Sequence, residues 1–319
     1  MLKLFQKRHM IHAPLFVGAN QVEERCISAG VLLVIKQPTP QKFTNVNGYR
    51  IRYLEVGSPN RKILILLHGI GASAERWSHV IPGLSKYFHL IIPDIIGFGY
   101  SDKPAVDYTM DFFVDFFRSF LDNLGITKAS IIGSSFGGHV ATEFAIRFNH
   151  MVEKLILVSP AGMMRKSSPT LDRYIMAALY PEYQRVYEAF SEMVYDSNAI
   201  NQEILMDFMN RMNLPNAKYA FMSTLLGIRY APDLRGRFSN ITAPTLLVWG
   251  DDDTTIPLAE YSNLYKEIPN MDEIVMIKNC RHIPPVEKPA TFNSIALRFL
   301  MRPPLIPVTQ PLEKPATLS

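Results

Sequence analysis

The stretch Gly133-Ser134-Ser135-Phe136-Gly137 follows the apolar run Ala129 to Ile132 and precedes Gly138-His139-Val140-Ala141, which opens a helical pattern. A Gly-x-Ser-x-Gly between a strand and a helix reads as a nucleophile elbow. The turn is so tight that a side chain on a flanking residue would clash with the neighbouring elements, and glycine at 133 and 137 removes that clash. Ser135 is then held at the strand tip with its hydroxyl over the sheet edge. Phe136 begins the helix, so its N–H and the helix dipole face any anion that forms there. By itself the pentapeptide also fits an ordinary Gly/Ser turn, so its meaning depends on what surrounds it.

A serine hydroxyl at neutral pH needs a base, an acid to orient that base, and donors for an oxyanion. Each has a candidate after a predicted strand. Upstream, the apolar run Lys62 to Leu67 enters His68-Gly69-Ile70-Gly71, a glycine-rich loop whose Ile70 N–H can join that of Phe136 as an oxyanion donor. Downstream, Pro244 to Trp249 ends in Gly250-Asp251-Asp252-Asp253, with Pro257 beyond. Three adjacent aspartates leave the acid ambiguous, since acidic loops are often turns or helix caps. A further strand, Glu273 to Lys278, precedes Cys280-Arg281-His282, and His282 lies 29 positions after Asp253, room for one helix and one strand. The order Ser135, Asp253, His282 differs from that of chymotrypsin-like and subtilisin-like enzymes.

With these loops in place, the chain resembles the α/β-hydrolase superfamily, in its compact branch with a helical cap, over roughly residues 42 to 302. His68-Gly69-Ile70-Gly71 resembles the oxyanion loop, and Asp94-Ile95-Ile96-Gly97-Phe98-Gly99-Tyr100-Ser101 the turn after the next strand. Gly250-x-x-Asp253-x-x-x-Pro257 is similar to the acid loop, which favours Asp253 over Asp251 and Asp252. His282, with Glu287 and Pro289 after it, resembles the histidine loop. The resemblance implies an α/β fold, with a mostly parallel eight-stranded sheet, helices on both faces and an inserted helical cap. It implies catalysis by Ser135, Asp253 and His282, an oxyanion hole from the Ile70 and Phe136 amides, and neither cofactor nor metal. Two positions depart from the relatives that cleave carbon–carbon bonds: Ser134 stands where they carry asparagine, and Phe208 near where they carry a cap arginine. A serine nucleophile also argues against the epoxide hydrolases and haloalkane dehalogenases of this fold, which use aspartate.

The remaining pattern agrees with one α/β domain carrying an insertion. A hairpin is expected at Asn47-Gly48 between Phe43–Val46 and Tyr49–Leu54. Strands follow at Ile63–Leu67, His89–Pro93, Ala129–Ile132, Lys154–Val158, Thr245–Trp249 and Glu273–Ile277, alternating with helical patterns. Residues 111 to 124 predict a helix with Phe112, Phe113, Phe116, Phe117, Phe120, Leu121 and Leu124 facing the core. The expected organisation is a hydrolase core over 41–162 and 238–302, a helical cap over 163–237, an N-terminal extension over 1–40, and a disordered tail over 303–319. Eight of the fifteen methionines lie between Met163 and Met222. They suit either an adaptable apolar pocket or packing between cap helices.

A net charge of +4 without a basic stripe and interleaved aromatics gives no sign of nucleic acid, and no nucleic-acid partner is expected. Cys26 and Cys280 form neither a disulfide framework nor a metal-ligand spacing, although a bridge between them stays open. The apolar run Ala29 to Ile35 is too short to span a bilayer, its flanks do not suit a secretory signal, and a cytoplasmic location is expected. His68 is expected to brace the oxyanion loop and His139 to pack or hydrogen-bond. His79, His89 and His150 show no partner spacing, His9 and His12 lie in the extension, and no histidine is assigned to metal. The function expected is a serine hydrolase of small to medium carboxylic esters with apolar groups. The alternatives are a carbon–carbon hydrolase using a cationic cap residue (Arg165, Arg173, Arg185, Arg211 or Arg229), an aminopeptidase using Glu182 or Glu188, and a ligand sensor with little turnover. Oligomeric state is not legible.

Overall fold

The computed structural model describes residues 40–164 and 166–303. The expectations for the extension, including Cys26, for Arg165 and for the tail beyond residue 303 lie outside them.

Runs of Ile, Leu and Val bounded by turn residues give eight strands in one sheet: β1 (Gln41–Val46), β2 (Tyr49–Val56), β3 (Ile63–Leu67), β4 (His89–Pro93), β5 (Ala129–Ser134), β6 (Val152–Val158), β7 (Thr245–Gly250) and β8 (Met271–Ile277). Their spatial order is β1-β2-β4-β3-β5-β6-β7-β8. The β1–β2 and β2–β4 pairs are antiparallel and the rest parallel. The helices are α1 (Ile81–Leu84), α2 (Met110–Asn123), α3 (Phe136–Arg147), α4 (Pro169–Leu179), α5 (Tyr183–Glu192), α6 (Gln202–Met212), α7 (Ala217–Arg229), α8 (Ser262–Tyr265), α9 (Pro284–Glu287) and α10 (Pro289–Leu300). None among the described residues is long and apolar enough to cross a membrane.

The central strands read as continuous apolar runs because both faces are covered. With a side-chain period of two, Ile65, Leu67, Ile131, Leu155, Leu157, Leu247 and Trp249 meet one layer, which includes α2 and α3. Leu64, Leu66, Ile132, Ile156, Val158, Leu246 and Val248 meet Trp77, Leu84, Phe292 and Phe299 on the other. Thr109 caps α2 by accepting the Phe112 N–H at 3.1 Å. The helix buries Phe113, Phe116, Phe117, Phe120 and Leu121, while Phe112 and Leu124 are only partly covered. β6 and β8 each begin two residues earlier than expected, since Val152 pairs with Ala129 and Met271 with Thr245.

Helices α4 to α7 all fall between β6 and β7. Ser168 caps α4 through the Leu171 N–H (3.2 Å), with Pro169 in its first turn, and Asn201 caps α6 through the Ile204 N–H (2.8 Å). Tyr174, Phe190, Phe208 and Phe221 bring these helices together and join the same buried cluster as α2 and α3. The chain runs from β3 outward to β4, then returns across to β5 on the opposite side. That reversal opens a crevice at the carboxyl ends of β3 and β5, where residues 68–73 and 135 emerge.

Candidate active site

At the end of β5, Ser135 has φ 53° and ψ −117°, a left-handed conformation that costs a non-glycine residue about 1–3 kcal/mol. The turn holds it there: its N–H donates to Val158 O and its carbonyl accepts from the Ala161 N–H, both at 2.9 Å. The flanking glycines are required by contact. A Cβ on Gly133 would lie 2.4 Å from Gly137 O, and one on Gly137 only 2.3 Å from Leu67 O. Backbone atoms cannot yield as a side-chain end can.

The three aspartates of the acid loop have different partners. Asp253 Oδ2 lies 2.9 Å from His282 Nδ1, and both residues are buried. Its other oxygen, Oδ1, accepts the N–H groups of Thr255 (2.9 Å) and Ile256 (3.0 Å). Asp252 instead takes Arg281 Nε at 2.8 Å, and Asp251 accepts the Cys280 N–H at 3.3 Å. With Asp253 accepting from Nδ1–H, the proton sits on that nitrogen and His282 Nε2 is left as an acceptor. His282 and Ser135 line the same cavity.

The candidate oxyanion loop after β3 lies beside Ser135, and its Gly69 and Ile70 line the same cavity. Neither the Ile70 nor the Phe136 N–H has a protein acceptor among the described residues. Three successive carbonyls of the loop are tied down by different elements. His68 Nδ1 donates to Gly69 O (2.8 Å), Tyr174 Oη on α4 to Ile70 O (2.8 Å), and Arg211 Nη1 on α6 to Gly71 O (2.7 Å). The Gly69–Ile70 peptide is planar and trans, so pinning its carbonyl aims the Ile70 N–H the opposite way. Burial pushes the His68 imidazole down to about 3, so it stays neutral. Its Nε2 accepts the Ile95 N–H at 3.0 Å, which fixes the proton on Nδ1. Asp94 completes the frame, accepting from Ala74 N (2.7 Å), Tyr100 N (2.8 Å) and Arg52 Nη1 (3.0 Å).

Removing the Tyr174 hydroxyl tests this frame. Tyr174→Phe leaves the Ile70 carbonyl without its donor and is expected to lower stability by about 1 kcal/mol. Turnover should fall roughly tenfold, a fraction of the loss seen when a whole oxyanion donor is removed, with KM little changed. Thermal melting and steady-state kinetics on one ester check it.

The cavity has a volume of about 460 Å³, in the usual range for small-molecule sites. Its walls are mostly apolar: Leu171, Ile175, Leu225 and Ile228 from α4 and α7, with Ile256 and Ile283 from the loops. Of the eight methionines in this region only Met164 and Met193 line it, while Met163, Met209 and Met212 pack against the buried cluster and Met176, Met206 and Met222 are exposed. Packing and surface thus account for most of the methionine enrichment.

A sequence profile of the alpha/beta hydrolase fold matches residues 62–210. A 2-hydroxymuconate semialdehyde hydrolase from a Pseudomonas species is 30% identical over 247 residues, covering 74% of this chain and 86% of that protein. The chain belongs to the α/β-hydrolase superfamily. Two solved structures share its fold at a TM-score of 0.74 and 26% identity. One is a bacterial membrane phospholipase A described as a virulence factor, with 82% of this chain and 85% of that one covered. The other is a meta-cleavage product hydrolase from Pseudomonas fluorescens, with 81% and 97% covered.

This α/β-hydrolase also holds groups that the sequence did not single out for a role. Glu287 organises the His282 loop, its carboxylate accepting the N–H groups of Arg281 (3.0 and 3.2 Å), Ile283 (3.2 Å) and Tyr195 (2.6 Å). The Cys280 thiol also reaches it at 3.5 Å, and burial beside that carboxylate pushes the thiol well up, which disfavours the reactive thiolate. His282 N donates to Met193 O at 3.0 Å, so the insertion holds this loop too. One histidine expectation changes. His89 does have a partner, Glu55 at 3.0 Å. His139 packs against Gly162 with neither ring nitrogen bonded among the described residues, and burial pushes it down to about 3.

The arginines weighed for the insertion are mostly committed: Arg173 to Glu192, Arg185 to Glu182, and Arg211 to Asp207. Arg229 alone of the described four lines the cavity, and neither Glu182 nor Glu188 does. Phe208 is fully buried between Tyr174 and Phe190. Among the described residues no group of three or more His, Cys, Asp and Glu could hold a metal ion.

Proposed function

We propose that this α/β-hydrolase is a serine hydrolase that cleaves small to medium carboxylic esters bearing apolar groups through an acyl-enzyme. The observation that carries the reading is the His282–Asp253 pair, with its imidazole Nε2 left as acceptor, on the same apolar cavity as a serine held at positive φ. In this reading His282 takes the Ser135 proton as Oγ attacks the ester carbonyl. Asp253 holds the tautomer and stabilises the imidazolium. The Ile70 and Phe136 amides receive the oxyanion, each worth about 3 kcal/mol of transition-state stabilisation. His282 protonates the leaving alcohol, then activates the water that releases the acid. The helices α4 to α7 act as a cap over 163–237, excluding water and setting substrate size.

A second reading is carbon–carbon hydrolysis with the same residues. It is favoured by the Pseudomonas relative, named a semialdehyde hydrolase, and by the cations on the cavity wall. The test is a p-nitrophenyl ester ladder from acetate to palmitate, with fluorophosphonate labelling of the folded protein. Turnover with a chain-length optimum and a modified Ser135 supports the ester reading. Labelled Ser135 without ester turnover, but with cleavage of a vinylogous diketone acid, replaces it by the second. No label on Ser135 removes both.

A further inference from the structure

Among the groups on the cavity wall, one has chemistry that no apolar ester explains. Arg76 lies in the short turn Ala74–Trp77 that follows the candidate oxyanion loop, and its half-buried side chain lines the same cavity as Ser135 and His282. A guanidinium offers five N–H donors. None of those on Arg76 meets an acceptor among the described residues, and its one close partner is the face of Phe190, 5.5 Å from the ring centre. The nearby carboxylates are already occupied. Glu75 and Asp94 pair with Arg52, and Asp207 binds Arg211 Nε (2.9 Å) and the Tyr100 hydroxyl (2.6 Å). Lys166 and Arg229 line the same cavity, and among the described residues no Asp or Glu does.

We propose that Arg76 is the anchor of an anionic subsite, and that the substrate carries a carboxylate besides the carbonyl attacked by Ser135. This deepens the proposed function and rests on it for the identity of the reacting carbonyl. A planar carboxylate matches the guanidinium fork with two parallel charge-assisted hydrogen bonds. Such a pair forms at low dielectric, where an unpaired guanidinium is costly. Burial, with the Arg211 guanidinium nearby, also pushes the Arg76 guanidinium below its usual range, although Asp207 acts the other way. Lys166 and Arg229, both exposed, add positive potential that draws an anionic substrate inward. The backbone of the anchor belongs to the β3–α1 connection, while Phe190 of α5 faces its guanidinium.

The experiment compares p-nitrophenyl hydrogen glutarate and adipate with their neutral methyl-ester counterparts, in the wild-type protein, Arg76→Met and Arg76→Lys. Wild type should favour the acids by about tenfold or more in kcat/KM, as a charged hydrogen bond of modest strength gives. Arg76→Met should erase that preference while keeping the neutral ester within a few-fold, and Arg76→Lys should keep part of it. A second readout needs no turnover: monomethyl glutarate should raise the melting temperature of wild type, and its amide analogue should not. Equal handling of acid and neutral esters by wild type overturns the proposal even if Arg76→Met does not fold. A preference that survives in folded Arg76→Met also overturns it, as does inorganic phosphate competing as strongly as glutarate. If Ser135 proves not to be the nucleophile, ester turnover fails but the carboxylate-dependent melting shift remains, so the two failures are distinct.

Discussion

Ser135→Ala is expected to lower kcat on any ester substrate by about 10⁵- to 10⁶-fold, with KM changed by no more than a few-fold. The size follows from the role proposed for the hydroxyl. Without it no acyl-enzyme forms, and His282 and Asp253 have no proton to take from the nucleophile. What remains is the electrostatic help of the two loop amides, which acts on direct attack by water and leaves roughly 10³- to 10⁴-fold over the uncatalysed rate. The fold should not suffer. The turn is held by Ser135 backbone bonds to Val158 and Ala161, and by the glycines at 133 and 137, none of which alanine removes. The melting temperature should therefore stay within a degree or two of wild type while fluorophosphonate labelling disappears. If Ser135→Ala keeps more than a hundredth of the activity, Ser135 is not the nucleophile.

The parts legible in the sequence share a physical cause. Strands covered on both faces must be apolar throughout, so β3 to β7 stand out as short runs bounded by turn residues. The elbow is legible because a left-handed serine between two crowded positions admits only glycine beside it. Chain order then brings the loops after β5, β7 and β8 to one edge of the sheet. What was not legible depends on side chains far apart in sequence. Tyr174 reaches Ile70 across 104 residues, and Glu287 reaches Tyr195 across 92. No local pattern announces such pairs. Arg76 escaped for the converse reason: its significance lies in partners it lacks, which appear only once Glu75, Asp94 and Asp207 are seen to be taken. The resemblance implies a substrate cation on the insertion. The structure adds Arg76, on the β3–α1 connection, to Lys166 and Arg229 of the insertion on the cavity wall.

The three-aspartate loop gives the other large effect, and a sharper test of geometry. Asp253→Asn is nearly isosteric, so the loop should keep its shape. Its orientation is dictated by the Thr255 and Ile256 N–H groups, which need an oxygen at the Oδ1 position. The asparagine carbonyl takes that place and its amide NH₂ turns toward His282 Nδ1. Two donors cannot face each other, so the imidazole proton moves to Nε2 and that nitrogen can no longer accept from Ser135. The expected loss is about 10⁴-fold in kcat, the scale on which a wrong tautomer acts in a serine triad. Ser135 labelling by the fluorophosphonate should slow in parallel, with little change in melting temperature. Asp252→Asn is the comparison that isolates the cause. It alters only a partly exposed contact with Arg281 and should stay within a few-fold of wild type. If the two substitutions have equal effects, loop charge rather than the His282 tautomer controls the rate, and Asp253 is not the orienting acid.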